Sequence, residues 1–239
     1  MEESLIHRNF LALYINRMIN LPKAVIFDMN GTLVDSIPYH KKAWLSFLQN
    51  HGINLNEKAF DAQNHGTIEE MMIRFFGPKL TVTQLLEFSE EKEETFRKMY
   101  CHKIKEVDGL TDFLKSIFLR KVKIGLATMG DQNNIDFTLD SLGIRDFFHS
   151  TTGGNEVTKG KPNPEIYELA LNKLEVKAKD CLAFEDSIGG VKAANSAGIH
   201  VIGITTTHTR EELIEFGCIE AIDNFESFRF GFLDLDPVF

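Results

Sequence analysis

The sequence predicts an α/β fold in which a doubly wound parallel sheet is interrupted, after its first strand, by an inserted helical domain. Short β-branched apolar segments alternate with helical patterns in the second half of the chain. This alternation is typical of a parallel sheet with crossover helices on both faces. Between residues 37 and 106 the alternation stops and helical patterns follow one another directly, which indicates an insertion.

Four segments have the length and composition of buried strands, each bounded by polar or glycine-containing turns. They are Lys23–Asp28, Val122–Thr128, Cys181–Asp186 and His200–Thr205. Helical patterns such as Pro164–Leu174 and Gly189–Ala197 lie between them. These segments are expected to form the sheet and its crossover helices.

A chain of 239 residues is long enough for one core domain and a smaller insert. We assign residues 20–36 and 107–239 to the core, 37–106 to the helical insertion and 1–19 to an N-terminal extension. The extension is apolar at mixed spacing and suits a helix or strand lying on the core. Alternatively, Met18 is the biological start, directly before the first strand.

The composition argues against several classes of partner. A formal net charge of -9 is a poor match to nucleic acid or to an anionic membrane surface. Three cysteines without CxxC spacing argue against a disulfide scaffold and a structural zinc site, so a reducing cytoplasm is the expected compartment. We expect a monomer that acts on a small molecule.

Polar residues stand at the ends of three predicted strands. They are Asp28, Thr128, Glu185 and Asp186. Ligands of open parallel sheets bind beyond the carboxyl ends of the strands, so these side chains should converge. Lys161, in the GKP segment before a helix, is expected to join them.

This set of residues suits magnesium and phosphate. Converging carboxylates repel one another unless a cation binds, and hard oxygen ligands without His or Cys favour Mg²⁺. A metal beside a Lys and a Thr can stabilise a phosphoryl group during its transfer. An Asp nucleophile such as Asp28 would then divide the reaction through an aspartyl phosphate.

The motifs resemble those of the haloacid dehalogenase superfamily. FDMNGTLVDS is similar to the first motif, whose usual form is DxDGT, and FEDSIGGVKAANSAG is similar to the fourth. Thr128 and Lys161 match the second and third motifs in order and spacing. The resemblance covers nearly the whole chain from Lys23 onward. It implies a Rossmann-like core and identifies the helical insertion with the small cap of that family.

DSIPYHKKAW places His40 and Trp44 as in the β-phosphoglucomutase-like branch. The resemblance implies that Asp28 is the nucleophile and that Thr128 and Lys161 hold the phosphoryl group. It also implies four metal-binding residues, which are Asp28, Glu185, Asp186 and, through its backbone carbonyl, Asn30. Lys92 would correspond to a substrate-contacting lysine of the cap.

Several of these cap residues also have ordinary structural interpretations. His40 suits a structural histidine as well as a substrate contact, and Trp44 suits the core of the insertion. Lys92 lies in the charged run EEKEE, which is typical of a solvated helix face. Gly66 and Thr67 suit a turn, although a cap loop that faces the substrate would need a small residue at this point.

Two positions depart from the family pattern. Asn30 stands where the family has an acidic residue that serves as general acid and base, and losing such a group costs about 10²–10⁴-fold in rate. Because hydrolysis of the aspartyl phosphate would lack its base, we hypothesise that the phosphoenzyme is long-lived. Glu69 stands where the mutase branch has an arginine that holds a second phosphate. The leading function is a phosphatase for a small phosphorylated metabolite; a sugar-phosphate mutase and an impaired phosphate-binding or regulatory protein are the alternatives.

Overall fold

The computed structural model describes residues 21–226 and residue 228. Six strands form its central sheet: β1 Ala24–Phe27, β2 Lys123–Ala127, β3 Ser150–Thr152, β4 Cys181–Glu185, β5 His200–Ile204 and β6 Glu220–Ile222. All neighbouring strands are parallel, in the order β3-β2-β1-β4-β5-β6. The predicted fold class is confirmed.

The four predicted strands correspond to β1, β2, β4 and β5. Two further strands, β3 and β6, lie at the two edges of the sheet and have three residues each. Neither strand is predicted from the sequence, because three residues are too few to show a periodic pattern.

Four helices follow β1 within residues 37–100: α1 Ile37–Asn50, α2 Glu57–Asp61, α3 Ile68–Phe76 and α4 Val82–Tyr100. Residues 37–100 are all described, and helices are the only regular elements in that range. The remaining helices are α5 Leu110–Leu119, α6 Gln132–Leu142, α7 Glu165–Leu174, α8 Ile188–Ser196 and α9 Arg210–Glu215. The domain bounds at residues 37 and 106 stay a prediction.

Both faces of the sheet are covered, as the continuous apolar strands predict. Successive strand residues point to opposite faces, so Val25 and Phe27 belong to one hydrophobic cluster and Ala24 and Ile26 to another. The ring of Phe27 stacks on that of Phe184, with centroids 5.2 Å apart. Because the two faces are filled, the carboxyl ends of the strands are left as the place for a ligand.

The predicted helical insertion, residues 37–106, has a hydrophobic cluster of its own. Its buried members are Trp44, Phe47, Leu48, Phe60, Met71 and Met72. The interpretation of Trp44 as a core residue is confirmed by this burial. A second small cluster contains Phe96 of α4, and the rings of Phe96 and Phe137 in α6 lie 6.4 Å apart, so the insertion packs against the core domain.

The predicted N-terminal extension, residues 1–19, and the alternative start at Met18 lie outside the described residues. Within the described part of the chain, no helix combines the length and the apolar character that crossing a membrane requires.

Candidate active site

Three buried carboxylates meet at the carboxyl ends of β1 and β4. Asp28 follows β1, Glu185 is the last residue of β4, and Asp186 comes next. The parallel register pairs Phe27 with Phe184, and the Asp28 backbone N–H donates to the Phe184 carbonyl at 3.0 Å. One ligand oxygen from each carboxylate lies within 4.8 Å of the others. The sheet register therefore brings together the residues that the sequence analysis expected to converge.

Lys161 is the cation of this cluster. Its Nζ donates to Asp28 Oδ1 at 2.7 Å, to Glu185 Oε1 at 2.5 Å and to the Ala127 carbonyl at 3.1 Å. Burial alone would lower the pKa of Lys161, but the charges of Asp28 and Glu185 raise it, so the ammonium stays protonated. Thr128 directly follows Ala127, whose carbonyl accepts from Lys161, and its buried hydroxyl accepts from the Gly130 N–H at 3.1 Å.

The carboxylates outnumber this single ammonium. Burial, opposed by Lys161 and reinforced by Glu185, raises the pKa of Asp28 to about 7. Burial and the neighbouring charges of Glu185 and Asp28 raise the pKa of Asp186 well above its ordinary value. Ionising all three carboxylates therefore requires more positive charge than the described side chains supply.

A divalent cation fits this arrangement. The donors are hard carboxylate oxygens, and no histidine or cysteine belongs to the cluster, which suits Mg²⁺ better than a softer metal. Asp186 accepts hydrogen bonds from two threonine hydroxyls, those of Thr32 and Thr207, which hold its carboxylate in place. The residues present thus match the metal that the resemblance implies.

Gly31 makes room for Asp186. Its φ of +91° lies in the left-handed region, which glycine adopts without strain. A Cβ at this position would collide with the Asp186 carboxylate. The glycine of the first motif is therefore required both by its backbone conformation and by the close approach of the fourth motif.

Glu185 is held by five donors. Oε1 accepts from Lys161 and from the Tyr167 hydroxyl at 2.8 Å, and Oε2 accepts from the Asp186 N–H and from the N–H and hydroxyl of Ser187. Tyr167 lies on α7 and is not among the site residues predicted from the sequence. The signal was present, because a tyrosine on the buried face of a helix needs a partner for its hydroxyl.

The Asn30 side chain contacts Ser36 and His40 rather than the carboxylate cluster. Its Oδ1 accepts from the Ser36 hydroxyl at 2.7 Å and lies 3.2 Å from His40 Nε2. His40 stacks on the ring of Phe96, with centroids 3.5 Å apart. Burial, together with the positive charge of Lys92, lowers the pKa of His40 to about 3, so the imidazole is neutral.

The interpretation of Lys92 as part of a solvated helix face is wrong. Its side chain is 2% exposed, and its Nζ donates to Glu93 Oε1 at 2.7 Å and to His40 Nδ1 at 3.1 Å. Burial would raise the pKa of Glu93, but the charge of Lys92 and the hydrogen bonds from Lys92 and Asn134 outweigh it and hold the pKa below its ordinary value. A run of charged residues in the sequence does not show which of them will lie on the buried face of the helix.

Gly66 and Thr67 form the loop that begins α3. The Thr67 hydroxyl accepts from the Glu70 N–H and the Glu70 carboxylate accepts from the Thr67 N–H, a reciprocal helix cap. A Cβ at Gly160 would lie 2.7 Å from the Gly66 carbonyl carbon and 2.7 Å from the Thr67 nitrogen. This loop therefore touches the core segment that carries Lys161. Glu69 lies exposed in the first turn of α3.

The sequence profile of the haloacid dehalogenase-like hydrolases matches residues 25–204, which span the whole carboxylate cluster. The chain belongs to this family. It is 30% identical to a phosphorylated carbohydrates phosphatase of Thermotoga maritima over 84% of this chain and 94% of that one. It is also 30% identical to a β-phosphoglucomutase of Bacillus subtilis, over 76% and 83% of the two chains.

A solved structure of a related protein has a similar fold. The CbbY protein of Rhodobacter sphaeroides in complex with phosphate is 25% identical, with a TM-score of 0.76 over 87% of this chain and 96% of that one. The predicted family, its β-phosphoglucomutase-like branch and the prediction of a phosphatase or phosphomutase enzyme are confirmed. The individual roles of the site residues stay predictions.

Proposed function

We propose that this protein is a Mg²⁺-dependent phosphatase that acts on a small phosphorylated metabolite, a sugar phosphate, through an aspartyl phosphate on Asp28. The observation that supports the proposal most directly is the buried cluster at the ends of β1 and β4. It combines a carboxylate nucleophile, one lysine at 2.7 Å and two further carboxylates that suit a divalent cation. The family match to hydrolases agrees with this chemistry.

Each residue has a definite part in the proposed reaction. The ionised Asp28 attacks phosphorus, the bond to the leaving oxygen breaks, and the phosphoryl group is carried by Asp28 until water displaces it as orthophosphate. Lys161 and Thr128 donate hydrogen bonds to the phosphoryl oxygens. Asp28, Glu185, Asp186 and the Asn30 carbonyl would hold Mg²⁺, which supplies positive charge against the phosphoryl oxygens.

The substrate class follows from the relatives. The Thermotoga protein is named as a phosphatase of phosphorylated carbohydrates, and a 28% identical protein of Escherichia coli as a fructose-1-phosphate phosphatase. The net charge of -9 makes nucleic acid a poor substrate, whereas a small anion needs only a locally positive pocket. We infer that the protein acts as a monomer in the cytoplasm.

A sugar-phosphate mutase is the second candidate. The 30% identity to the Bacillus subtilis β-phosphoglucomutase favours it. A mutase must hold the second phosphate of a bisphosphate intermediate, and the exposed Glu69 would repel that group where the mutase branch has an arginine. The phosphatase reaction needs no such group and is the one we favour.

Asn30 makes slow turnover a third possibility. An amide cannot give a proton to the leaving oxygen or take one from the attacking water, so both steps lack the family's acid and base. Acyl phosphates, whose leaving groups need no proton, should lose least in the first step. The protein would then accumulate phosphoenzyme and serve as a phosphate-binding or regulatory protein.

Phosphate release from sugar, nucleotide and acyl phosphates tests these candidates in the presence of Mg²⁺. We expect Asn30→Asp to raise turnover by about 10²–10⁴-fold over the protein as written, because it restores a positioned acid and base. Asp28→Asn is the blank. Equal rates for the protein as written and for Asn30→Asp, both well above the blank, would mean that another group supplies the proton. Equal rates at the level of the blank would overturn the proposed function.

A further inference from the structure

A chain of buried hydrogen bonds connects the core helix α6 with Asn30. Asn134 Nδ2 of α6 donates to Glu93 Oε2 at 2.6 Å, and Glu93 Oε1 accepts from Lys92 at 2.7 Å. Lys92 Nζ also donates to His40 Nδ1 at 3.1 Å, and His40 Nε2 lies 3.2 Å from Asn30 Oδ1. Four elements contribute to this chain: α6, α4, α1 and the loop after β1.

The direction of the two bonds between Lys92 and Asn30 follows from the Lys92 ammonium group. An ammonium group can only donate, so His40 Nδ1 must accept and the imidazole proton must lie on Nε2. An Nε2–H group can only donate, so the Asn30 atom that faces it must be the carbonyl oxygen. The reversed amide would set two donors against each other at 3.2 Å.

We propose that the Lys92–Glu93 pair, acting through His40, fixes the orientation of the Asn30 amide, so that its carbonyl faces the cap and its NH₂ group is offered to the phosphoryl ligand. Asn30 then serves as a hydrogen-bond donor at the position where the family has an acid and base. Lys92 and His40 are positioning residues in this scheme. The proposal rests on the proposed function, because it assumes that the ligand beside Asn30 carries a phosphoryl group.

The surroundings of Lys92 hold its ammonium group between Glu93 and His40. The side chain is 2% exposed, and its Nζ lies 5.0 Å from the centroid of the Trp44 ring. Glu93 is held in turn by Asn134, which is completely buried. Among the described residues, the Asn30 amide nitrogen has no hydrogen-bond partner, so it is available to a ligand.

The proposal makes a direct prediction for the histidine. In the protein as written, the ¹³C and ¹⁵N NMR shifts of His40 should be those of the neutral Nε2–H tautomer, with the resonance assigned by its loss in His40→Gln. The double variant Lys92→Met/Glu93→Gln removes both charges together, so that neither is left buried without its partner. In this variant the tautomer should become mixed.

The consequence for the ligand is measured with inorganic phosphate and Mg²⁺ by calorimetry. Freeing the amide to adopt two orientations should weaken phosphate binding about twofold, and reversing it by up to about tenfold. In the Asn30→Asp background the same double variant should leave phosphate affinity unchanged, because the two carboxylate oxygens are equivalent. Lys98→Met/Glu94→Gln makes the same two changes at an exposed pair of α4 and is the matched control.

Each outcome bears on the proposal. The proposal is supported if His40 is the Nε2–H tautomer and if Lys92→Met/Glu93→Gln weakens phosphate binding in the protein that has Asn30. This loss of affinity must be absent from the Asn30→Asp background and from the control Lys98→Met/Glu94→Gln. An Nδ1–H or doubly protonated His40 in the protein as written overturns the proposal, as does an equal loss of affinity in both backgrounds. If phosphate binds to none of these proteins, the proposed function fails. The His40 tautomer alone then shows whether Lys92 sets the direction of the hydrogen bond to Asn30.

Discussion

Side chains of the candidate site also hold one another in place. Glu185 receives five hydrogen bonds, and the one from Tyr167 comes from outside the four motifs. This hydroxyl holds the Glu185 oxygen that also accepts from Lys161, so it indirectly positions the lysine beside Asp28. Burial and the charge of Glu185 raise the pKa of the Tyr167 hydroxyl well above its ordinary value, so it remains a donor.

We predict that Tyr167→Phe lowers the free energy of unfolding by about 1 kcal/mol, because Glu185 keeps its other four donors and loses only one net hydrogen bond. Urea denaturation measures the change. Tyr39→Phe is the control, since the Tyr39 hydroxyl makes no hydrogen bond to any residue in the described part of the chain. Equal losses in the two variants would show that the bond to Glu185 contributes nothing to stability.

At the scale of the elements, two loops from different domains meet beside the active site. The loop that begins α3 touches the core segment at Gly160, one residue before Lys161. The contact is between backbones, so neither side can yield by rotating a side chain. The position of the cap loop relative to Lys161 is therefore set by the absence of a side chain at Gly160.

Gly160→Ala should displace the cap loop, because its Cβ would lie 2.7 Å from two backbone atoms. Misplacing a substrate-positioning segment by about 1 Å can cost up to about 10²-fold in rate, and we expect kcat/KM to fall by between tenfold and this limit. The measurement belongs in the Asn30→Asp background, where turnover is easier to follow. At Gly189 a Cβ would approach Lys161 Cβ only to 3.9 Å, so Gly189→Ala should leave kcat/KM within about twofold. Unchanged kcat/KM in Gly160→Ala would contradict a fixed cap loop.

At the scale of the whole molecule, the carboxylate cluster makes stability depend on pH and on metal. The pKa of Asp28 is raised by burial to about 7 from an ordinary value of 3.8, so the folded protein holds this proton over a range in which the unfolded chain has lost it. This group therefore makes the metal-free protein less stable as the pH rises from about 4 through about 7.

Mg²⁺ should offset this loss, because it binds the ionised carboxylates. We predict that the rise in Tm on adding Mg²⁺ is small at about pH 5 and larger at about pH 8. Thermal unfolding with Mg²⁺ and with a chelator measures the difference. In Asp28→Asn, which has no proton to lose at this position, the dependence on pH should be weaker. A rise in Tm that is the same at both pH values would contradict the role of Asp28.

Most helices and strands of the helical insertion and of the core could be predicted, because they follow from local patterns of apolar and polar residues. The strands β1, β2, β4 and β5 are continuous apolar runs that end in polar residues, and the parallel topology then places those ends together. Asp28, Glu185 and Asp186 could be brought together on this ground alone. The short edge strands β3 and β6 were missed because they are defined by their pairing with neighbours rather than by their own sequence.

The sequence by itself determined the fold class, the family and the set of residues at the ends of the strands, since these follow from periodicity and from motifs whose members are close in sequence. Only the tertiary structure decided what surrounds each side chain. It turned Lys92 inward onto His40, brought Tyr167 to Glu185 and set Gly160 against the cap loop. Burial and hydrogen bonding between distant segments depend on how helices pack, and a charged residue in a charged run carries no sign of the face on which it will lie.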